Sequence, residues 1–83
     1  MERNIFKYET GEEAMAGDRI RYHGEPGEVE FVAMNASDHP DADWYIQQYP
    51  PGGIMIVAKG MGSVFLTAGE DEEDLEFVSR KHQ

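Results

Sequence analysis

Short runs of strand-forming residues separated by Gly, Pro, Asn and Asp set the rhythm of this chain, the layout of an all-β sandwich or barrel. Residues 18–23 alternate, with Ile20 and Tyr22 on one face and Arg19, Arg21 and His23 on the other. That is the period of a half-buried strand. In Gly24-Glu25-Pro26-Gly27, Pro26 sets its own φ and Gly27 supplies the positive φ of a type II turn, so a hairpin is expected. The return strand, 28–34, directs Val29, Phe31 and Ala33 inward. Val32 and Met34 on its other face predict cover on both sides at the far end. Residues 54–58 are nearly all apolar and predict the most buried strand. Lys59-Gly60-Met61-Gly62 turns it into 63–67, and 75–79 forms the last strand.

Between these runs lies a polar loop, 35–43, holding Asp38, Pro40, Asp41 and Asp43. It leads into 44–48, where Trp44 and Ile46 fall on one face in the period of an extended chain. Tyr49-Pro50-Pro51-Gly52-Gly53 cannot continue a central strand, because two prolines lack the ladder donor; it reads as a turn. The acidic run 70–74 predicts a single helical turn with its carboxylates in solvent. At the N-terminus, Thr10-Gly11-Glu12-Glu13 matches a capping box ahead of Ala14-Met15-Ala16. A helix that short does not stand alone, and a strand over 4–8 is the favoured alternative. The expected fold is a small, strongly bent antiparallel barrel of five to six strands with at most one short helical turn. Its core would hold Ile20, Tyr22, Val29, Phe31, Trp44, Ile46, Ile54, Ile56, Val64, Leu66, Leu75 and Phe77. Truncating Phe31 or Trp44 to Ala is expected to cost about 3–5 kcal/mol each.

Composition narrows the functions open to such a fold. The 83 residues make one domain, spanning 1–83. Seventeen acidic residues against seven basic ones give a net charge of −10. Residues 25–58 carry six acids and no Lys or Arg, and 70–76 carry six more acids. Non-specific binding of nucleic acid needs clustered cations that displace counterions, so it is not expected. Nine aromatics and 40% hydrophobic residues are too many for a disordered acidic tail. No apolar run is long enough to span a membrane and the first residues lack a signal-peptide layout, so the expected location is cytoplasmic. Without cysteine there is no disulfide, thiolate metal site or cysteine nucleophile.

Gly17-Asp18-Arg19-Ile20-Arg21-Tyr22, then Gly24, Gly27 and Val29-x-Phe31-Val32, resembles the opening of KOW-type and other SH3-like small barrels. Tyr8-Glu9-Thr10-Gly11-Glu12, Gly27-Glu28-Val29-Glu30-Phe31-Val32, Gly53-Ile54-Met55, Gly62-Ser63-Val64-Phe65-Leu66 and Glu73-Asp74-Leu75-Glu76-Phe77-Val78-Ser79-Arg80 extend the likeness over nearly the whole chain. Together they resemble a group of small uncharacterised bacterial proteins associated with immunity to contact-dependent toxins. The resemblance implies a strongly bent small β-barrel with no known enzymatic activity and transfers no site residues. The 35–43 loop and the Tyr49-Pro50-Pro51 insert depart from that pattern.

Candidate chemistry is sparse. Ser37-Asp38-His39 has the letters of a hydrolase triad, but consecutive side chains cannot form the relay. Gly60-Met61-Gly62 lacks the third glycine of a dinucleotide fingerprint. The alternate oxygens of Asp38, Asp41 and Asp43 suggest a calcium loop, yet the central Gly and terminal Glu are missing and a solvated loop is the better reading. Neither a cofactor nor a metal is expected. Tyr45 and Tyr49 beside two prolines on an acidic rim suit a protein-binding surface, where Tyr is enriched and charge speeds association. The candidate partner-binding residues are Asp38, Asp41, Asp43, Tyr45, Tyr49, Glu70, Asp71, Glu72 and Glu73. The expected function is a non-enzymatic acidic module that binds a basic protein, such as a toxin or nucleic-acid-processing enzyme. The alternatives are a KOW-like nucleic-acid- or ribosome-associated module, and a subunit of a homo-oligomer hinted at by Met34, Met55 and Val57 on outward faces.

Overall fold

In the computed structural model, which describes residues 4–69 and 74–80, five antiparallel strands form one sheet: β1 (Arg19–Tyr22), β2 (Glu25–Ala33), β3 (Gly53–Ala58), β4 (Gly62–Thr67) and β5 (Leu75–Ser79). Their order is β4-β3-β2-β1-β5, a meander whose last strand returns to pair with the first. β4 and β5 are the two edges of the sheet. The connection from β2 to β3 carries a 3₁₀ turn, Ala36–Asp38, and one helix, α1 (Ala42–Gln48).

The alternation in β1, β3 and β4 sets the inner face. Ile20, Ile54, Ile56 and Leu66 are buried there with Leu75 of β5, while Val64 and Phe77 are half-buried against them. Burying side chains of this size contributes about 1.5–3 kcal/mol each, which makes this face the main source of stability. The N-terminal segment adds Phe6, Tyr8 and Ala14 to the same cluster, and Tyr8 stacks on Phe77 with ring centroids 5.0 Å apart. This segment is neither the expected strand nor a helix. The backbones of Lys7 and Glu13 form an isolated antiparallel β-bridge, and the Tyr8 and Ala14 N–H groups donate to the Glu12 and Phe6 carbonyls, closing a small loop over the core.

β2 breaks its own period. Val29 pairs with Ile56 but Phe31 pairs with Met55, so Glu30 is an extra residue and the strand bulges. Val29, Val32 and Met34 consequently pack with the inner cluster, and Phe31 is carried to the outer face. The inward placement expected for Phe31 is corrected by that single inserted residue. Met34, expected on an outward face, is buried in the core.

Two local expectations also give way. The first hairpin turns at His23 and Gly24, both at positive φ, three residues earlier than the type II turn read at Pro26 and Gly27. A two-residue turn with both φ values positive matches the twist of the strands it joins. Residues 44–48 are helical, and Trp44 stands in solvent instead of plugging the core. Spacing explains this: Ala42, Tyr45, Ile46 and Tyr49 form an apolar stripe at helical period, which leaves Trp44 off the packed side. The expected turn at 70–74 lies almost wholly outside the described residues.

Residue 18 is the polar exception in the core. The Asp18 carboxylate is fully buried and accepts from the Tyr8 hydroxyl at 2.7 Å, the Met15 N–H at 2.9 Å and Arg80 Nε at 3.0 Å. Arg80 also donates to the Glu13 carbonyl at 2.7 Å and lies over the Phe77 ring. The N-terminal segment, the start of β1 and the residue after β5 are thus tied at one carboxylate. At the surface, Arg21 pairs with Glu76, and His23 Nδ1 lies 3.0 Å from the Asp74 carboxylate.

Candidate partner-binding face

The outer face of the sheet carries an aromatic assembly, and α1 completes it. Phe31 of β2 and Phe65 of β4 both pair with Met55 of β3, which places them in one row across the sheet. α1 lays Tyr45 between them, stacked on Phe65 at 4.8 Å and 20° and tilted against Phe31 at 5.3 Å. His39 stacks on Phe31 at 4.1 Å and 18°, with its Nδ1 accepting the Asp41 N–H. At the other end Tyr49 leans on Phe65 at 5.2 Å, and Trp44 meets Tyr45 edge-on at 4.9 Å and 85°. Six rings therefore run from His39 to Trp44 in mutual contact. Such offset and edge-to-face contacts add about 0.5–1.5 kcal/mol per pair beyond area burial.

Two glycines let the backbone between α1 and β3 pack closely against β2 and β4. A Cβ on Gly53 would sit 1.9 Å from the Leu66 carbonyl oxygen, and one on Gly52 would sit 2.1 Å from that of Ala33. Only glycine permits that approach. Gly52 also donates to the Tyr49 carbonyl and accepts from the Ala68 N–H, anchoring the end of α1 between β2 and β4.

The sequence-selected residues are placed unequally. Tyr45 is half-buried at the centre of the stack, and Tyr49 is 44% exposed at its end. Asp41 and Asp43 are exposed at the start of α1, where Asp41 is the N-cap but makes no side-chain capping bond. Asp38 is engaged locally: its carboxylate accepts the N–H groups of Met34 at 3.0 Å and Asn35 at 2.8 Å. Glu70, Asp71, Glu72 and Glu73 lie outside the described residues. Trp44, 56% exposed, together with Phe31, His39 and Phe65, was missed as part of this face. The helical stripe from Ala42 to Tyr49 was the signal that would have found Trp44.

The His39 end of the stack borders a cleft of about 310 Å³ between the N-terminal segment and β2, lined by Ile5, Met15, Glu30, Val32 and Asn35 among others. Among the described residues, no three His, Asp or Glu side chains are grouped to hold a metal ion, and no helix is long and apolar enough to cross a membrane. Comparison of the chain with protein-family models, curated proteins and solved structures found no match.

Proposed function

We propose that this chain is a non-enzymatic, acidic protein-binding module of SH3-like barrel build that neutralises a basic partner in the cytoplasm, as an immunity or inhibitor protein does. The observation that carries the reading is the exposure of Trp44 and Tyr49 on a rigid aromatic base, on an element with Asp41 and Asp43 and no Lys or Arg. Large exposed aromatics cost solubility unless something covers them, and Trp and Tyr are the side chains that most often dominate protein interfaces. The net charge of −10 favours a basic partner by steering its approach. The return of β5 onto β1 supports the small-barrel description.

The nucleic-acid reading is weaker on this face, because residues 24–58 carry no Lys or Arg to meet phosphate. The homo-oligomer reading loses Met34 to the core and keeps Val57, which is 42% exposed on β3.

The test is association kinetics against the basic protein recovered with this chain at low salt. Replacing Asp41 and Asp43 together by Asn should slow association severalfold and flatten its salt dependence, with the melting temperature unchanged. Equal association rates for wild type and variant at both low and physiological salt would remove the support for this reading.

A further inference from the structure

We infer that the corner between Trp44 and Tyr49 is a subsite for an arginine side chain of the partner, with Asp41 as the carboxylate that receives its guanidinium. The inference rests on the proposed protein-binding reading and adds which side chain of the partner the face is built to hold.

The two rings form an open angle, with centroids 6.4 Å apart and planes at 70°. Both stand on the same support: Trp44 is set against Tyr45, Tyr49 against Phe65, and Tyr45 is stacked on Phe65. Their rotamers are therefore held before any ligand arrives, which reduces the ordering cost of binding. Neither ring is needed to fill the core, and each shows a large part of its surface to solvent.

A flat cation suits such a corner. A guanidinium can stack on one aromatic face while its in-plane N–H groups reach the neighbouring ring or an acid, and the tryptophan face is the strongest cation–π acceptor among side chains. Asp41 is the residue before α1, three positions ahead of Trp44, and its backbone carbonyl accepts the Trp44 N–H at 3.1 Å. Its carboxylate does not cap the helix. It is available for a charge-assisted bond of the kind that arginine makes in bidentate form. The fold uses the same pairing internally, where Arg80 lies 5.5 Å from the Phe77 ring centre while bonded to Asp18.

Charge selects the occupant. An uncharged apolar residue would gain the rings but nothing from Asp41 and Asp43. A lysine would gain the charge but could not stack as a plane or bridge an aromatic face and a carboxylate with a fixed fork.

Trp44 is the sole tryptophan, so its emission reports directly on the subsite. The probe is a capped glycine–serine peptide bearing spaced arginines, compared with lysine and citrulline versions of the same peptide. The arginine peptide should change Trp44 emission saturably and bind about fivefold tighter than the lysine peptide and about tenfold tighter than the citrulline peptide. Tyr49→Leu should weaken arginine-peptide binding about fivefold with the folded far-UV circular dichroism spectrum retained, Tyr49→Phe should restore it, and Asp41→Asn should narrow the arginine-over-lysine preference. Equal binding of arginine and lysine peptides, with no effect of Tyr49→Leu, would overturn the subsite and leave diffuse attraction to an acidic module intact. Equal binding of the citrulline peptide, or no binding of the arginine peptide, would also overturn it. A saturable response to oligothymidylate instead would overturn both the subsite and the protein-binding reading.

Discussion

Replacing Asp18 by Asn keeps the shape of the side chain and removes the charge on which Tyr8, Met15 and Arg80 converge. The amide oxygen can still accept from some of these donors, while its NH2 group turns a donor toward others. Removing one partner of a buried ion pair costs about 3–5 kcal/mol, because the remaining charge is left without compensation. The Arg80 side chain is 29% exposed, so water recovers part of that loss and the lower end, about 3 kcal/mol, applies. For a chain of 83 residues, total stability is about 4–12 kcal/mol. One uncharged atom swap should therefore remove a quarter or more of it. The assay is urea unfolding followed by far-UV circular dichroism. With a slope of about 1–1.5 kcal/mol/M, the midpoint should fall by about 2–3 M. Asp18→Asn combined with Arg80→Met should cost less than the sum of the single changes, with a coupling of about 1–3 kcal/mol, since the double variant strands no charge. A midpoint for Asp18→Asn that corresponds to less than about 0.5 kcal/mol would refute the reasoning, placing the site among ordinary surface substitutions.

Two further outcomes follow from the same geometry. Burial, then the hydrogen bond to Asp18 and its negative charge, raise the Tyr8 pKa well above the usual tyrosine value. Above about pH 10 the unfolded chain therefore loses a proton that the folded chain keeps; stability is intact below that pH and declines above it by up to about 1.4 kcal/mol per pH unit. Urea midpoints measured across that range should show the decline, and Tyr8→Phe should flatten it. On the outer face, Trp44→Ala should change stability by less than about 1 kcal/mol because the ring lies half in solvent, whereas Phe31→Ala should cost about 2–3 kcal/mol by unstacking His39 and Tyr45. Paired thermal melts check this; an equal loss at both positions would contradict the solvent-exposed placement of Trp44.

The strands were legible where a strict alternation sits between turn residues. Ile20, Ile54, Ile56, Leu66 and Leu75 all occupy the inner face that their spacing demands. α1 was not read because seven residues are too few for a helical period to outweigh the two-residue spacing of Trp44 and Ile46. The bulge at Glu30 has no local signature, since Val, Glu and Phe all suit a regular strand, and the face of Phe31 depended on it. Asp18 looked like an ordinary strand-leading polar residue; its partner Arg80 lies 62 positions away, a separation that no window of sequence reports. Of the candidate binding residues, Asp41, Asp43 and Tyr49 were legible as exposed polar or amphipathic groups near prolines. The ring stack that organises them arises from three separate elements.

Pairing the first strand with the last has a consequence for how the protein is made. β1, β2 and β3 each pair with the next strand along the chain, but the second edge of β1 waits for synthesis to reach Leu75–Ser79. At about 5–20 residues per second that wait lasts about 3–10 seconds. Throughout it, a strand with open N–H and C=O groups faces every other nascent chain in the cell. Arg19 and Arg21 stand on that strand with exposed side chains, and charge on an open edge discourages foreign strands from adding to it. When β5 arrives, Arg21 gains Glu76 as its partner, so the residue that repels the wrong neighbours during synthesis greets the right one at its end.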